Sequence, residues 1–110
     1  MFAEMPKPEL REIQKHRYFL SLERGYDVDF AEARDDWRRN HESAWRRYRF
    51  RLLLSLQRRE ISRHKWLESQ KANCDVGKHA AAEWVARYAA DFRRWFDEEF
   101  VEEESRQVEV

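Results

Sequence analysis

Three residue types that together make a nucleophilic triad occur twice along the chain, in the same order and at the same spacing. They are His16, Ser21 and Asp27, then His64, Ser69 and Asp75. A triad works only when serine, histidine and acid form one hydrogen-bonded chain beside oxyanion donors. Histidine and serine five residues apart on a helix are separated by about 500°, so they point some 140° away from one another. No glycine-flanked nucleophile turn accompanies either serine. The expected role is structural: each histidine bonds across a hairpin, and each serine or aspartate ties a helix end to its turn. The chain is therefore expected to be no enzyme, with no catalytic residues.

Metal chemistry is the next candidate. The histidines are His16, His41, His64 and His79, and the single cysteine is Cys74. Tight ligand pairs such as CxxC are absent. Cys74 and His79, five apart across an expected turn, come nearest to ligand spacing. No metal site and no cofactor are expected from these spacings.

The stretch AWRRYRFR at 44–51 mixes arginine with aromatic residues. That mixture suits phosphates and stacked bases. It suits equally a helix whose aromatics face inward under arginine stems. Residues 34–65 hold eleven Arg and Lys against four Asp and Glu, a local charge of +7 inside a chain of zero net charge. Residues 97–110 hold seven acids against Arg106, a local −6. Segregated charge of this kind reads as solvated helix faces, or as a polyanion-binding stripe with an acidic tail competing for it.

These groups need a scaffold, and the sequence describes it through an internal repeat. Residues 12–29 align with 60–77, and 33–48 with 80–95. Identical pairs are Glu12/Glu60, Ile13/Ile61, His16/His64, Ser21/Ser69, Asp27/Asp75, Val28/Val76, Ala33/Ala80, Trp37/Trp84, Arg46/Arg93 and Arg47/Arg94. Tyr18/Trp66, Asp36/Glu83, Trp45/Phe92 and Tyr48/Trp95 keep their chemistry. A repeat of this kind marks a duplicated supersecondary unit. The spacing predicts helix, short turn, helix in each copy. Pro6 and Pro8 stand at a helix start. Gly25 and its counterpart Asn73 are the two residue types that tolerate a left-handed helix stop. Asp29, followed by Glu32, has capping-box spacing, and Gly77 takes the cap position in the second copy. Val28 and Val76 fall where a hydrophobic staple sits. The stripes Trp37, His41, Trp45, Tyr48 and Trp84, Tyr88, Phe92, Trp95 recur at spacings of four, four and three, as one helix face requires.

Composition agrees with this reading. Two Gly and two Pro are too few for a sheet's turns. An aromatic content of 15% argues against disorder. The expected fold is all-α: two tandem αα-hairpins related by a pseudo-twofold axis, repeat 1 over about 9–50 and repeat 2 over about 57–97, in one domain. Residues 98–110 form an acidic tail. No breaker lies between Gly25 and Gly77, which favours one long central helix; a break near Ser55 would instead give a four-helix bundle. "MFAEMPKPELREIQ" lacks an apolar targeting core, and no apolar run reaches a membrane span. A cytoplasmic location is expected.

The surplus of Trp and Tyr beside Arg matches binding hot spots. The expected function is thus a non-catalytic interaction module, an accessory subunit docking on a larger protein or a homodimer. Its candidate contact residues are Tyr18, Trp66, Arg46, Arg47, Arg93, Arg94 and Trp95. The alternative is a nucleic-acid binder using Arg38, Arg39, Arg46, Arg47, Arg49, Arg51, Arg58 and Arg59.

Overall fold

The computed structural model describes residues 5–102; the expected acidic tail lies outside these from residue 103 on. Among the described residues there are four helices and no strands: α1 (Lys7–Arg24), α2 (Phe30–Asn40), α3 (Glu42–Ala72) and α4 (Gly77–Glu99). The described chain divides into two compact units. One holds residues 5–43 with 97–102, and the other is Ala44–Phe96.

In the first unit, α1 starts where prolines cost nothing. Pro6 occupies the cap and its carbonyl accepts from the Leu10 amide at 3.0 Å. The helix stops at Gly25, whose φ of 77° is left-handed, and the Gly25 amide donates to the Ser21 carbonyl at 2.9 Å. That single bond satisfies a carbonyl the helix would otherwise orphan. The Ser21 hydroxyl then accepts from the Val28 amide at 3.0 Å, closing the turn. Asp29 caps α2, its Oδ1 accepting from the Glu32 amide at 2.8 Å. Glu32 does not return the bond as a capping box would; its carboxylate instead receives Arg24 and the Tyr26 hydroxyl. Ile13, Leu20, Val28, Ala33 and Trp37 form the buried centre of this unit.

The expected uninterrupted central helix is divided, and not at Ser55. Helix α3 runs through Ser55 without interruption. The division falls at His41, which has φ −129° and ψ −24° while its amide still bonds to the Trp37 carbonyl at 2.7 Å. No proline or glycine marks this break.

The second unit repeats the turn chemistry. Helix α3 ends at Asn73 with φ 56°; Asn73 and Cys74 amides donate to the Gln70 and Ser69 carbonyls, each at 3.3 Å, in a Schellman pattern. The Ser69 hydroxyl accepts from the Val76 amide at 3.1 Å. The cap differs from expectation. Gly77 is the first residue of α4, and the Val76 carbonyl accepts the first helical bond, from Ala80, at 2.9 Å. Asp75 Oδ1 takes the Gly77 amide at 2.9 Å, so a carboxylate serves the helix start that glycine lacks a side chain to serve. Leu53, Ala80, Trp84 and Phe96 are the buried residues here.

Candidate functional site

Each unit pairs a first-helix histidine with a carboxylate on the facing helix. His16 Nε2 lies 2.7 Å from Asp36 Oδ2, and His64 Nε2 lies 3.0 Å from Glu83 Oε1. Asp36 and Glu83 are paired when residues 33–48 are aligned with 80–95. Each ring also meets a second ring edge-on: His16 with His41 at 4.8 Å between centroids, His64 with Tyr88 at 6.0 Å. His41 and Tyr88 are likewise aligned. The serines take no part in these pairs, because Ser21 and Ser69 serve their turns. Asp27 is exposed and lies 3.6 Å from Arg17. The triad residue types are therefore dispersed over two separate structural tasks in each unit.

The His16 hydrogen bond holds the Asp36 carboxyl below the usual aspartate range, with help from Asn40 and Arg24 and against the opposing effect of burial. Asn40 Nδ2 donates to Asp36 Oδ1 at 3.2 Å, and Arg39 and Arg24 approach the same oxygen at 3.7 and 3.9 Å. The two carboxylate oxygens thus have different work: Oδ1 faces the cations and the amide, and Oδ2 faces His16.

Among the described residues, two groups of side chains hold their donor atoms within 4.8 Å of one another: His16, Asp36 and His41 in one unit, His64, Glu68 and Glu83 in the other. Cys74 and His79, the pair nearest to ligand spacing in the sequence, belong to neither. Helix spacing alone could have pointed to Glu68, four residues after His64 and on its face. It could not have pointed to Asp36 or Glu83, which lie about twenty residues from the histidines and on other helices.

The expected contact residues are on the surface. Tyr18 and Trp66 are each 62% exposed, and Trp95 is 46% exposed. Arg46, Arg47, Arg93 and Arg94 are exposed as well. Tyr18 borders an open groove of about 360 Å³ that Arg17 and Ser21 also line. Arg94 lies 3.5 Å from Asp91, and the Arg46 guanidinium sits 5.9 Å from the Trp45 ring centre. On α4, Trp84, Phe92 and Trp95 form a ladder with ring centres 5.6 Å apart at both steps, and only Trp84 is buried.

The arginine-rich stretch divides by role. Arg49 is half-buried: it donates to the Phe96 carbonyl at 2.7 Å and lies 4.1 Å over the Phe96 ring. Arg38 approaches Glu9 at 3.8 Å. Arg47, Arg51 and Arg58 are exposed and share one face of α3, at spacings of four and seven. No helix among the described residues is long and apolar enough to cross a membrane.

No protein-family model, no curated protein and no solved structure matches this chain.

Proposed function

We propose that the protein is a non-catalytic helical interaction module, made of two tandem copies of one αα-hairpin, that self-associates or docks as an accessory subunit on a larger protein. The observation that carries this reading is the imbalance between core and surface. Among the described residues nine apolar side chains are buried, whereas twelve large hydrophobic residues are exposed, Tyr18, Phe19, Leu22, Trp66 and Leu67 among them. Scattered exposed apolar residues are ordinary. Here Tyr18, Phe19 and Leu22 lie within two turns of α1, and Trp66 and Leu67 hold the aligned places on α3. Aromatic side chains beside arginines are the residue types that dominate binding energy. The repeated turn chemistry at Ser21 and Ser69, and the repeated His–carboxylate pairs, support the duplication.

The test is light scattering on the purified chain over a range of concentrations, together with a tagged pull-down. A dimer mass, or a stoichiometric partner, lost in the Tyr18→Ala/Trp66→Ala double variant is the expected result. A monomer at every concentration with no stoichiometric partner refutes the reading.

One observation favours a second reading. Arg47, Arg51 and Arg58 make an exposed basic row on α3, as a nucleic-acid backbone contact requires. Binding of this kind weakens with salt with a log–log slope near −0.9 per phosphate contacted on duplex DNA. A duplex-DNA titration at two salt concentrations that shows no slope removes it.

A further inference from the structure

We propose that His16, Asp36 and His41 form a binding site for a divalent first-row transition-metal ion of the zinc class. The helical path breaks at His41. The chain leaves helical geometry there without a proline or glycine to cause it, and the ring at the break stands 4.8 Å from the His16 ring. The three donor atoms already lie within 4.8 Å of one another. In a tetrahedral shell with ligand bonds of about 2.0–2.2 Å, donor atoms stand about 3.4 Å apart. His16 Nε2 and Asp36 Oδ2, at 2.7 Å, need to part slightly to admit an ion in place of the shared proton. His41, which is exposed, closes the shell by side-chain rotation.

The donor set is the one such ions prefer. Two imidazoles and one carboxylate suit zinc, cobalt, nickel and copper better than magnesium or calcium. The surroundings of Asp36 fit as well. Metal-binding carboxylates are commonly held by hydrogen bonds from behind. Asn40 and the cations Arg24 and Arg39 sit at Oδ1, which leaves Oδ2 for the ion. The site has three protein donors and stands partly open, so water or a partner's side chain completes the shell. The aligned unit offers a contrast. Tyr88 stands where His41 does, and the group His64, Glu68 and Glu83 has one imidazole and two carboxylates. That oxygen-rich set competes less well for the same ions.

The full chain, stripped with a chelator, is titrated with Co(II) alone while visible d–d absorption is followed, and Zn(II) is then added to displace it. One equivalent of Co(II) is expected to bind and to be displaced. His41→Gln is expected to weaken binding at least about 100-fold, more than the 10–100-fold typical of losing a supporting residue. His64→Gln is expected to keep the wild-type affinity at that equivalent. His41 is exposed and contributes nothing to the buried centre, so far-UV circular dichroism of His41→Gln should match the wild type. His41→Cys supplies a thiolate donor and should restore binding with added charge-transfer absorption. Absence of a Co(II) band at millimolar metal overturns the proposal. So does a His41→Gln protein that titrates like the wild type, since the ion would then sit elsewhere.

Discussion

Ser21→Ala and Ser69→Ala remove the same bond at aligned places and should differ in cost. The Ser21 hydroxyl accepts the amide of Val28, a residue with no exposed surface. Removing the acceptor strands a buried donor that water cannot reach, a penalty of about 1–3 kcal/mol. Alanine is the better helix former near the end of α1 and returns about 0.5 kcal/mol. The net expectation is a loss of about 0.5–2.5 kcal/mol. Val76 is only half-buried, so water can take over its amide when the Ser69 hydroxyl is gone. An ordinary net hydrogen bond of about 0.5–1.5 kcal/mol, less the same helix gain, leaves a loss of about 0–1 kcal/mol. For a chain of this length 1 kcal/mol moves Tm by about 4–6 °C. Urea unfolding followed by circular dichroism measures the totals. Amide hydrogen exchange at Val28 and Val76 reads each bond directly. If Ser69→Ala costs more than Ser21→Ala, or if Val28 keeps its protection in Ser21→Ala, burial is not what sets the cost.

Other consequences are as direct. Gly25→Ala should destabilise by about 1–2 kcal/mol in thermal melts, because its φ of 77° is left-handed while an added Cβ meets nothing within 4 Å, so backbone strain acts alone. Asn73→Gly, at φ 56°, should change stability by less than about 0.5 kcal/mol, since glycine accepts that geometry freely. Trp84→Ala should cost about 3–5 kcal/mol in denaturant unfolding, as expected for emptying a buried aromatic site. In metal-free buffer the Asp36 carboxylate, held below its usual range by His16, should stabilise the fold above the ordinary aspartate range. That contribution should fade as the pH falls through its lowered folded value. Asp36→Asn should lack this acid-side step in a pH series of Tm values.

Much of the helical layout was legible because it is written in local terms. Gly25 and Asn73 stop helices, since few residues tolerate left-handed backbone, and both carry positive φ. Asp29 caps, because a short carboxylate reaches the third amide. The partner of His16 was legible only as a requirement: a buried imidazole needs a bond, yet nothing near residue 16 names residue 36. The division at His41 was not legible at all. Its neighbours Asn40 and Glu42 carry no breaker, and its departure from helical dihedrals has no signal in residue type. At the start of α4 the cap lies one residue earlier than expected, at Val76, and Asp75 Oδ1 accepts from the Gly77 amide. Of the stripe residues, Trp37 and Trp84 are buried, whereas Tyr48, Tyr88 and Trp95 remain exposed. Periodicity identifies a shared face but not how much of it the chain itself covers.

The division of the chain also bears on the order in which it can be completed during synthesis. Helices α1 and α2 are joined by a turn that Ser21 and Asp29 close with bonds spanning at most seven residues. Loop closure over such short spans takes well under a microsecond, so this hairpin can form as soon as it leaves the ribosome. Yet the same unit includes residues 97–102, and Lys7 at its very start pairs with Glu99 at 2.8 Å, ninety-two residues away. At about 5–20 residues per second, the hairpin waits several seconds or more for that last segment. A nascent chain stalled between the two would hold a closed first turn and an unfinished first unit, with the apolar surface of Tyr18, Phe19 and Leu22 already on display.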